Sequence, residues 1–362
     1  MMSRRERLRR AYFHEEMDRP AVYTRSGYPG NDPTYDKLKA LMAAESGLKL
    51  IWDTEHLHAA VPMTDRTVPY NDDFDKWISE IKTPKGVLTQ EYLVSRKGQP
   101  GLHLSHFIKT RTDAEACLSL PAPAPAGDVD GFYKAEKEVG DTGITDVCLG
   151  SNPAGAVVDM CGSENFAFMS VTDRDVLHAL MERRMRLMLD RVKRLVKQKV
   201  GPFFSMLGEE YIVPPLHGPA DFEDFNVRYD KPVIDLVHEA GGRMHIHSHG
   251  RVKTVLDGFL RMGVDVLHPL EPPMMGDVTP AEAKAALKGR VTIEGNIQIA
   301  DMYEKGPEAI RAHTAALIGD AFGDRRGLIV APTASPYLRG LGEKCYPQYQ
   351  AMVEAVKNWK RP

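Results

Sequence analysis

From residue 144 onward one unit recurs: a short apolar run, then a segment whose apolar residues return every three to four positions. Strand-like runs fall at 144–149, 203–207, 244–248, 264–270, 291–293 and 328–331. The intervening segments read as helices. One is expected to be capped by Thr172 and carries Leu177, Leu180, Leu187, Val192, Leu195 and Val196. Another ends near 238–241, and 252–262 places Val252, Val255, Leu256, Phe259 and Leu260 on one face. Thr279-Pro280-Ala281-Glu282 is a capping box with proline at the first helical position, and Gly289 is the expected stop. Helices at 308–317 and 347–359 follow. Strand-then-helix repetition requires parallel strands joined by helical crossovers. The strands are short, and 362 residues suit a closed (β/α)8 TIM-type barrel better than an open doubly wound sheet. No Gly-x-Gly-x-x-Gly follows a strand and no Walker-type loop occurs, which weakens a dinucleotide or nucleotide alternative.

The first third is less regular. A helix is expected over 3–16, with Arg4, Arg5, Arg7, Arg9 and Arg10 as a solvated face, stopped by Asp18-Arg19-Pro20. Residues 21–24 read as a short strand. Region 56–112 holds strand-like pieces such as 87–94, with Pro84 and Gly98 as turn residues, and reads as an antiparallel excursion. The proline-rich piece 120–126 is a stiff connector inside one domain, so residues 1–362 are expected to form a single barrel unit. Lys plus Arg is 47 against 50 Asp plus Glu, a net charge of -3, which argues against nucleic-acid binding. No apolar run approaches a membrane span, and the arginine-rich start lacks the apolar stretch of a secretory signal. Cys117, Cys148, Cys161 and Cys345 have no paired spacing, so neither a disulfide framework nor a cysteine zinc knuckle is expected. A soluble enzyme of the reducing cytoplasm is the expectation.

Chemistry concentrates at strand ends. In Arg243-Met244-His245-Ile246-His247-Ser248-His249-Gly250, alternation puts His245, His247 and His249 on one face, which in a barrel points inward. Barrel active sites sit at the C-terminal mouth. His247 and His249 therefore read as metal ligands, against the alternative of hydrogen-bonded core histidines, and the deeper His245 as structural. Gly208-Glu209-Glu210-Tyr211 offers two adjacent carboxylates, of which one is expected to be a ligand or base and the other solvated. Tyr211 is a hydrogen-bond donor or rim packing. His268, Glu271, Glu294 and Asn296 lie at later strand ends, with Glu294 facing the mouth by position. Glu271 could equally be solvated, and Asn296 could cap a helix. Met274-Met275 is either a ligand-facing lid or ordinary packing. No Gly-x-Ser-x-Gly nucleophile elbow occurs.

The order of these pieces resembles the uroporphyrinogen decarboxylase superfamily of β/α barrels. Asp18-Arg19-Pro20, Phe107-Ile108-Lys109-Thr110, Gly162-Ser163-Glu164 and Gly208-Glu209-Glu210-Tyr211 carry the match. So do His238-Glu239-Ala240-Gly241, His247-Ser248-His249-Gly250, Asp265-Val266-Leu267-His268-Pro269, Gly295-Asn296-Ile297 and Ala331-Pro332. Against the decarboxylase branch, Arg25 matches one expected arginine, residues 26–30 lack the second, and 331–335 lack the late histidine. The chain is more similar to the corrinoid-dependent methyltransferases. Their zinc-binding His-x-Cys pair falls where His247-Ser248-His249 stands, and their later Cys falls near Ala334, with Cys345 the nearest thiol. The resemblance implies a divalent metal, zinc being the expected ion, held by His247 and His249 with Glu210, Glu209 or Glu294. It implies transfer of a methyl group from a small O- or N-methylated substrate to a corrinoid carried by a partner protein, a demethylase role. Tyr211, His268 and Glu209 are the candidates for proton transfer. A decarboxylase or lyase, and a barrel that binds a small molecule without turnover, are the alternatives. Assembly as a homo-oligomer is left open.

Overall fold

A computed structural model describes residues 2–97 and 100–360; the expected turn residue Gly98 lies outside them. Eight parallel strands form one sheet: β1 (Ala21–Val22), β2 (Leu48–Asp53), β7 (Gly143–Ser151), β8 (Phe203–Leu207), β9 (Arg243–Ser248), β10 (Val266–Pro269), β11 (Thr292–Ile297) and β12 (Leu328–Pro332). Their order is β1-β12-β11-β10-β9-β8-β7-β2. The sheet curls until its edges meet, where Gly47 N–H donates to the Val22 carbonyl at 2.9 Å. This is the expected TIM-type barrel. The missing member of the sequence reading is β2, in which a lysine interrupts the apolar run.

Region 56–112 contains a separate antiparallel sheet of β3 (Thr64–Pro69), β4 (Phe74–Thr83), β5 (Gly86–Ser95) and β6 (Leu102–Ser105), in that order. Ile81 and Leu88 of this sheet join a second apolar cluster with Ile108, Val157, Phe166 and Leu180. The excursion thus covers helices on one flank of the barrel through a core of its own, because a lone antiparallel sheet needs a partner layer to bury its apolar face.

Helix positions follow the periodicity with local corrections. The helix Arg174–Lys197 is preceded by Asp173, and Thr172 is the last residue of another helix, Ser163–Thr172. Two helical patterns of the same period meet there, and periodicity alone could not separate them. The Thr279–Glu282 capping box is present, with both reciprocal bonds. The final helix, Gly342–Lys357, starts earlier than expected and keeps Pro347 inside its first turns. All four cysteines are free. Among the described residues, no helix is long and apolar enough to cross a membrane.

Candidate active site at the barrel mouth

The barrel interior carries a buried charge pair. Lys49 of β2 meets Glu294 of β11 in an ion pair, with side-chain exposures of 3% and 1%. Burial works to raise the Glu294 carboxyl, but Lys49 and then His245 overcome it and hold the group far below the usual carboxylate range. His245 Nε2 lies 3.6 Å from the same carboxylate. Its ring is stacked between Tyr12, at 6.3 Å, and His268, at 5.9 Å. His245 is therefore buried interior packing, as its depth in β9 suggests.

One layer above, strand register places His268 beside His247. Their Nδ1 atoms are 2.9 Å apart, and His268 Nε2 lies 2.7 Å from an Arg25 guanidinium nitrogen. A guanidinium only donates, so His268 Nε2 accepts. His268 Nδ1–H then donates to His247 Nδ1, and His247 carries its proton on Nε2. Burial, reinforced by His249, Arg25 and His245, pushes His247 down to about 3. Burial, Arg25 and His247 push the fully buried His268 well below the ordinary histidine range. Both rings are neutral near pH 7.

His249 lies past the end of β9 and differs from them. Its side chain is 38% exposed, and its Nδ1 sits 3.2 Å from Glu271 Oε1. The other Glu271 oxygen accepts from Gly250 N–H at 3.0 Å. Burial raises the Glu271 carboxyl, yet the bonds from His249 and Gly250 prevail and keep it below its ordinary value. His249 is thus held by Nδ1–H, with Nε2 left toward the mouth. This is the orientation a carboxylate imposes on a proton-transferring imidazole.

The adjacent pair Glu209 and Glu210 departs from strand alternation. Gly208 adopts φ 110 and starts the 3-10 turn Glu209–Ile212. Only glycine takes this backbone without strain, and a Cβ there would come within 2.9 Å of Asn152 Oδ1. Glu210 stays half-buried, accepts from Gly208 N–H at 3.0 Å and lies near His249. Glu209 turns the other way and is fully buried, so the solvated partner expected from the sequence does not exist. Its two oxygens have no hydrogen-bond partner. Burial, Asp230 and Glu210 raise its carboxyl well above the ordinary range. Asn152 ties this region together by donating to Asp230 at 2.8 Å and to Asn226 at 3.1 Å. Glu209 therefore faces a buried polar cluster rather than the mouth. Tyr211 lies at the rim; burial, then Asp159 and Glu210, push its hydroxyl up to about 12, so it remains a donor. Met274 and Met275 are exposed at 92% and 60%, which removes core packing as their role.

The profile of the family described as uroporphyrinogen decarboxylase (URO-D) matches residues 137–359, more than half of the chain. The chain belongs to the uroporphyrinogen decarboxylase family. The fold of this URO-D member is similar to that of a methyltransferase from Methanosarcina mazei. The TM-score is 0.67 and the identity 14%, with 98% of this chain and 99% of that chain covered. A Listeria monocytogenes protein described as a vitamin-B12-independent methionine synthase aligns with TM-score 0.42 and 12% identity over 67% and 73% of the two chains. Comparison with curated proteins gives no match.

The zinc site that the resemblance implies needs a third ligand beside His247 and His249. His247 and His249 do converge, with ring centroids 4.6 Å apart. A third ligand does not join them: Glu294 is neutralised by Lys49, and Glu209 points away. Glu210 is turned back onto the Gly208 N–H. Cys345 is buried in the final helix, bonded to the Gly342 carbonyl, and Ala334 offers no donor. Arg25 adds a fixed positive charge beside the histidines. Among the described residues, no group of three or more His, Cys, Asp or Glu side chains is arranged to hold a metal ion. The residues of this URO-D member do not fit that centre.

Two contributors escaped the sequence reading as site residues. Lys49 sits in the strand that periodicity did not reveal. Arg25, noted only as a family match, reaches the mouth from just past β1, where its own φ is 63. The one available signal for Lys49 was a lone lysine inside the apolar run Leu48-Lys49-Leu50-Ile51-Trp52.

Proposed function

We propose that this URO-D member is a methyltransferase that removes a methyl group from a small O- or N-methylated substrate and passes it to a corrinoid protein. The observation that carries this reading is His249, held by Glu271 at the open mouth of a barrel whose fold follows a methyltransferase along its whole length. A corrinoid on the partner protein would supply the nucleophile that accepts the methyl group. The chain's own task is the leaving group. As the methyl–oxygen or methyl–nitrogen bond breaks, its electron pair goes to the heteroatom, and the His249 imidazolium delivers a proton there from Nε2. Glu271 accepts from Nδ1–H and orients the ring for that transfer. Neutral His247, with its proton on Nε2, donates a hydrogen bond to the substrate. Buried His268 and Arg25 lock that tautomer. Tyr211 supplies a further donor at the rim.

A second reading is decarboxylation or another lyase reaction, favoured by one observation: Arg25 spends one N–H on His268 and one on Ser335. Its remaining donors can pair with a substrate carboxylate.

The test is incubation with reduced cobalamin and a panel of methyl aryl ethers and methylamines, followed by the absorbance of methylcobalamin. His249→Gln should lower the rate by about 10²–10⁴-fold while the fold is kept. A rate unchanged in His249→Gln, or CO2 release from a carboxylate substrate with no methyl transfer from any donor, overturns the methyltransferase reading.

A further inference from the structure

Beside the barrel lies a cavity of about 980 Å³, walled by the helix Arg174–Lys197, the helix Pro153–Cys161 and the antiparallel sheet, and reaching Tyr211 at one end. Arg184, Leu187, Met188 and Arg191 all line it. These positions are i, i+3, i+4 and i+7, a single helix face. The face presents two apolar side chains between two cations whose Cα atoms are about 10 Å apart along the axis.

Those two cations lack anionic partners. Among the described residues, the one hydrogen bond of Arg184 goes to the Met160 thioether at 3.5 Å. Arg191 donates to Thr54 Oγ1 at 3.0 Å, and its buried Nε has no acceptor. Neither lies within ion-pairing distance of a carboxylate, although Glu55 and Asp159 line the same cavity. Other arginines of this helix are satisfied. Arg174 pairs with Asp221 and Asp224, and Arg186 with Glu182. Arg183 and Arg194 each donate to several backbone carbonyls. Desolvation works against the charge of the part-buried Arg191, and Glu55 and Asp53 only partly offset it, while Arg184 stands exposed at the cavity wall. An apolar side chain in place of Arg191 would carry no such cost. Two guanidiniums without a carboxylate partner, on one face of an open cavity, attract an anion that enters it.

The geometry points to a ligand site: the cavity binds an elongated organic dicarboxylate, with one carboxylate on Arg184, the other on Arg191 and an apolar midsection over Leu187 and Met188. This goes beyond the methyl-transfer reading. Binding is measured without turnover, so failure of either leaves the other standing.

The probe is suberate, titrated calorimetrically into the full chain beside octanoate and dimethyl suberate. Suberate should bind at least about tenfold more tightly than octanoate, and the neutral diester should not bind measurably. Arg184→Gln and Arg191→Gln should each weaken suberate about tenfold, with Arg→Lys recovering part of the loss. Affinity for the wild-type chain should also fall as salt is raised, which keeps the proposal testable if a variant does not fold. Equal binding of the diester, unchanged binding in both glutamine variants, salt-independent affinity, or no saturable suberate binding to the wild type overturns it.

Discussion

The barrel axis and the side cavity both place cations on their walls, and they treat them oppositely. On the axis, Lys49 has an ionised carboxylate, Glu294, in direct contact. In the cavity, Arg184 and Arg191 have none. A buried cation with a partner is internally settled, and removing one member strands the other. A cation without a partner is left free to meet an anion from outside. The first arrangement belongs to architecture, the second to recognition.

The largest test of this contrast is Lys49→Met, which leaves Glu294 buried and uncompensated. It should cost about 3–5 kcal/mol in urea unfolding, and the double variant Lys49→Met/Glu294→Gln should recover much of that loss. A single variant as stable as the wild type would erase the distinction. The next largest effect separates two histidines of one motif. His245→Ala opens the buried interior and should cost about 1–3 kcal/mol, whereas His249→Ala at the exposed mouth should stay within about 0.5 kcal/mol. Equal melting temperatures for the two variants would break the assignment of layers.

The pH dependence follows from the depressed His247. In the folded chain it stays neutral down to about 3, whereas its ordinary value is 6.5. The unfolded chain therefore binds more protons in between, so stability rises with pH and falls as pH drops from about 6.5 towards 3. His247→Gln should flatten the unfolding midpoint against pH in that window, while Arg184→Gln, which removes no group titrating there, should leave the slope alone. An unaltered slope in His247→Gln would show that the ring is not held neutral. The smallest effect is Arg184→Met in the absence of ligand, expected within about 0.5 kcal/mol of wild type or slightly stabilising. A loss approaching that of Lys49→Met would mean the cavity arginine is architectural too. The donor set adds a compositional test: dialysed protein should hold well under one zinc per chain. Stoichiometric zinc that disappears in His247→Ala/His249→Ala would restore the metal centre expected from the sequence.

The legible parts of the molecule were those governed by short-range periodicity. The strand–helix alternation named the barrel, and β9 was readable because His245 and His247 alternate on one strand. The Thr279 capping box was readable for the same reason, since both of its bonds span three residues. The less legible parts depend on partners far apart in the chain. β2 was missed because Lys49 breaks the apolar pattern, and its reason for being there, Glu294, lies 245 residues away. Glu209 and Glu210 were misjudged because alternation stops at Gly208, where the chain leaves the strand.

By itself the sequence determined the parallel β/α barrel, the antiparallel excursion and the placement of three histidines near one strand end, because each follows from the spacing of neighbours on a regular backbone. Tertiary structure alone decided which charges are spent and which remain open. Ion pairing depends on distances of a few ångströms between elements that lie tens to hundreds of residues apart. Only the closed barrel brings Lys49 to Glu294 and Arg25 to His268, and the pairing of β9 with β10 brings Glu271 to His249. The same closure, with the second sheet packed on its flank, leaves Arg184 and Arg191 facing a cavity with no carboxylate within ion-pairing distance of either.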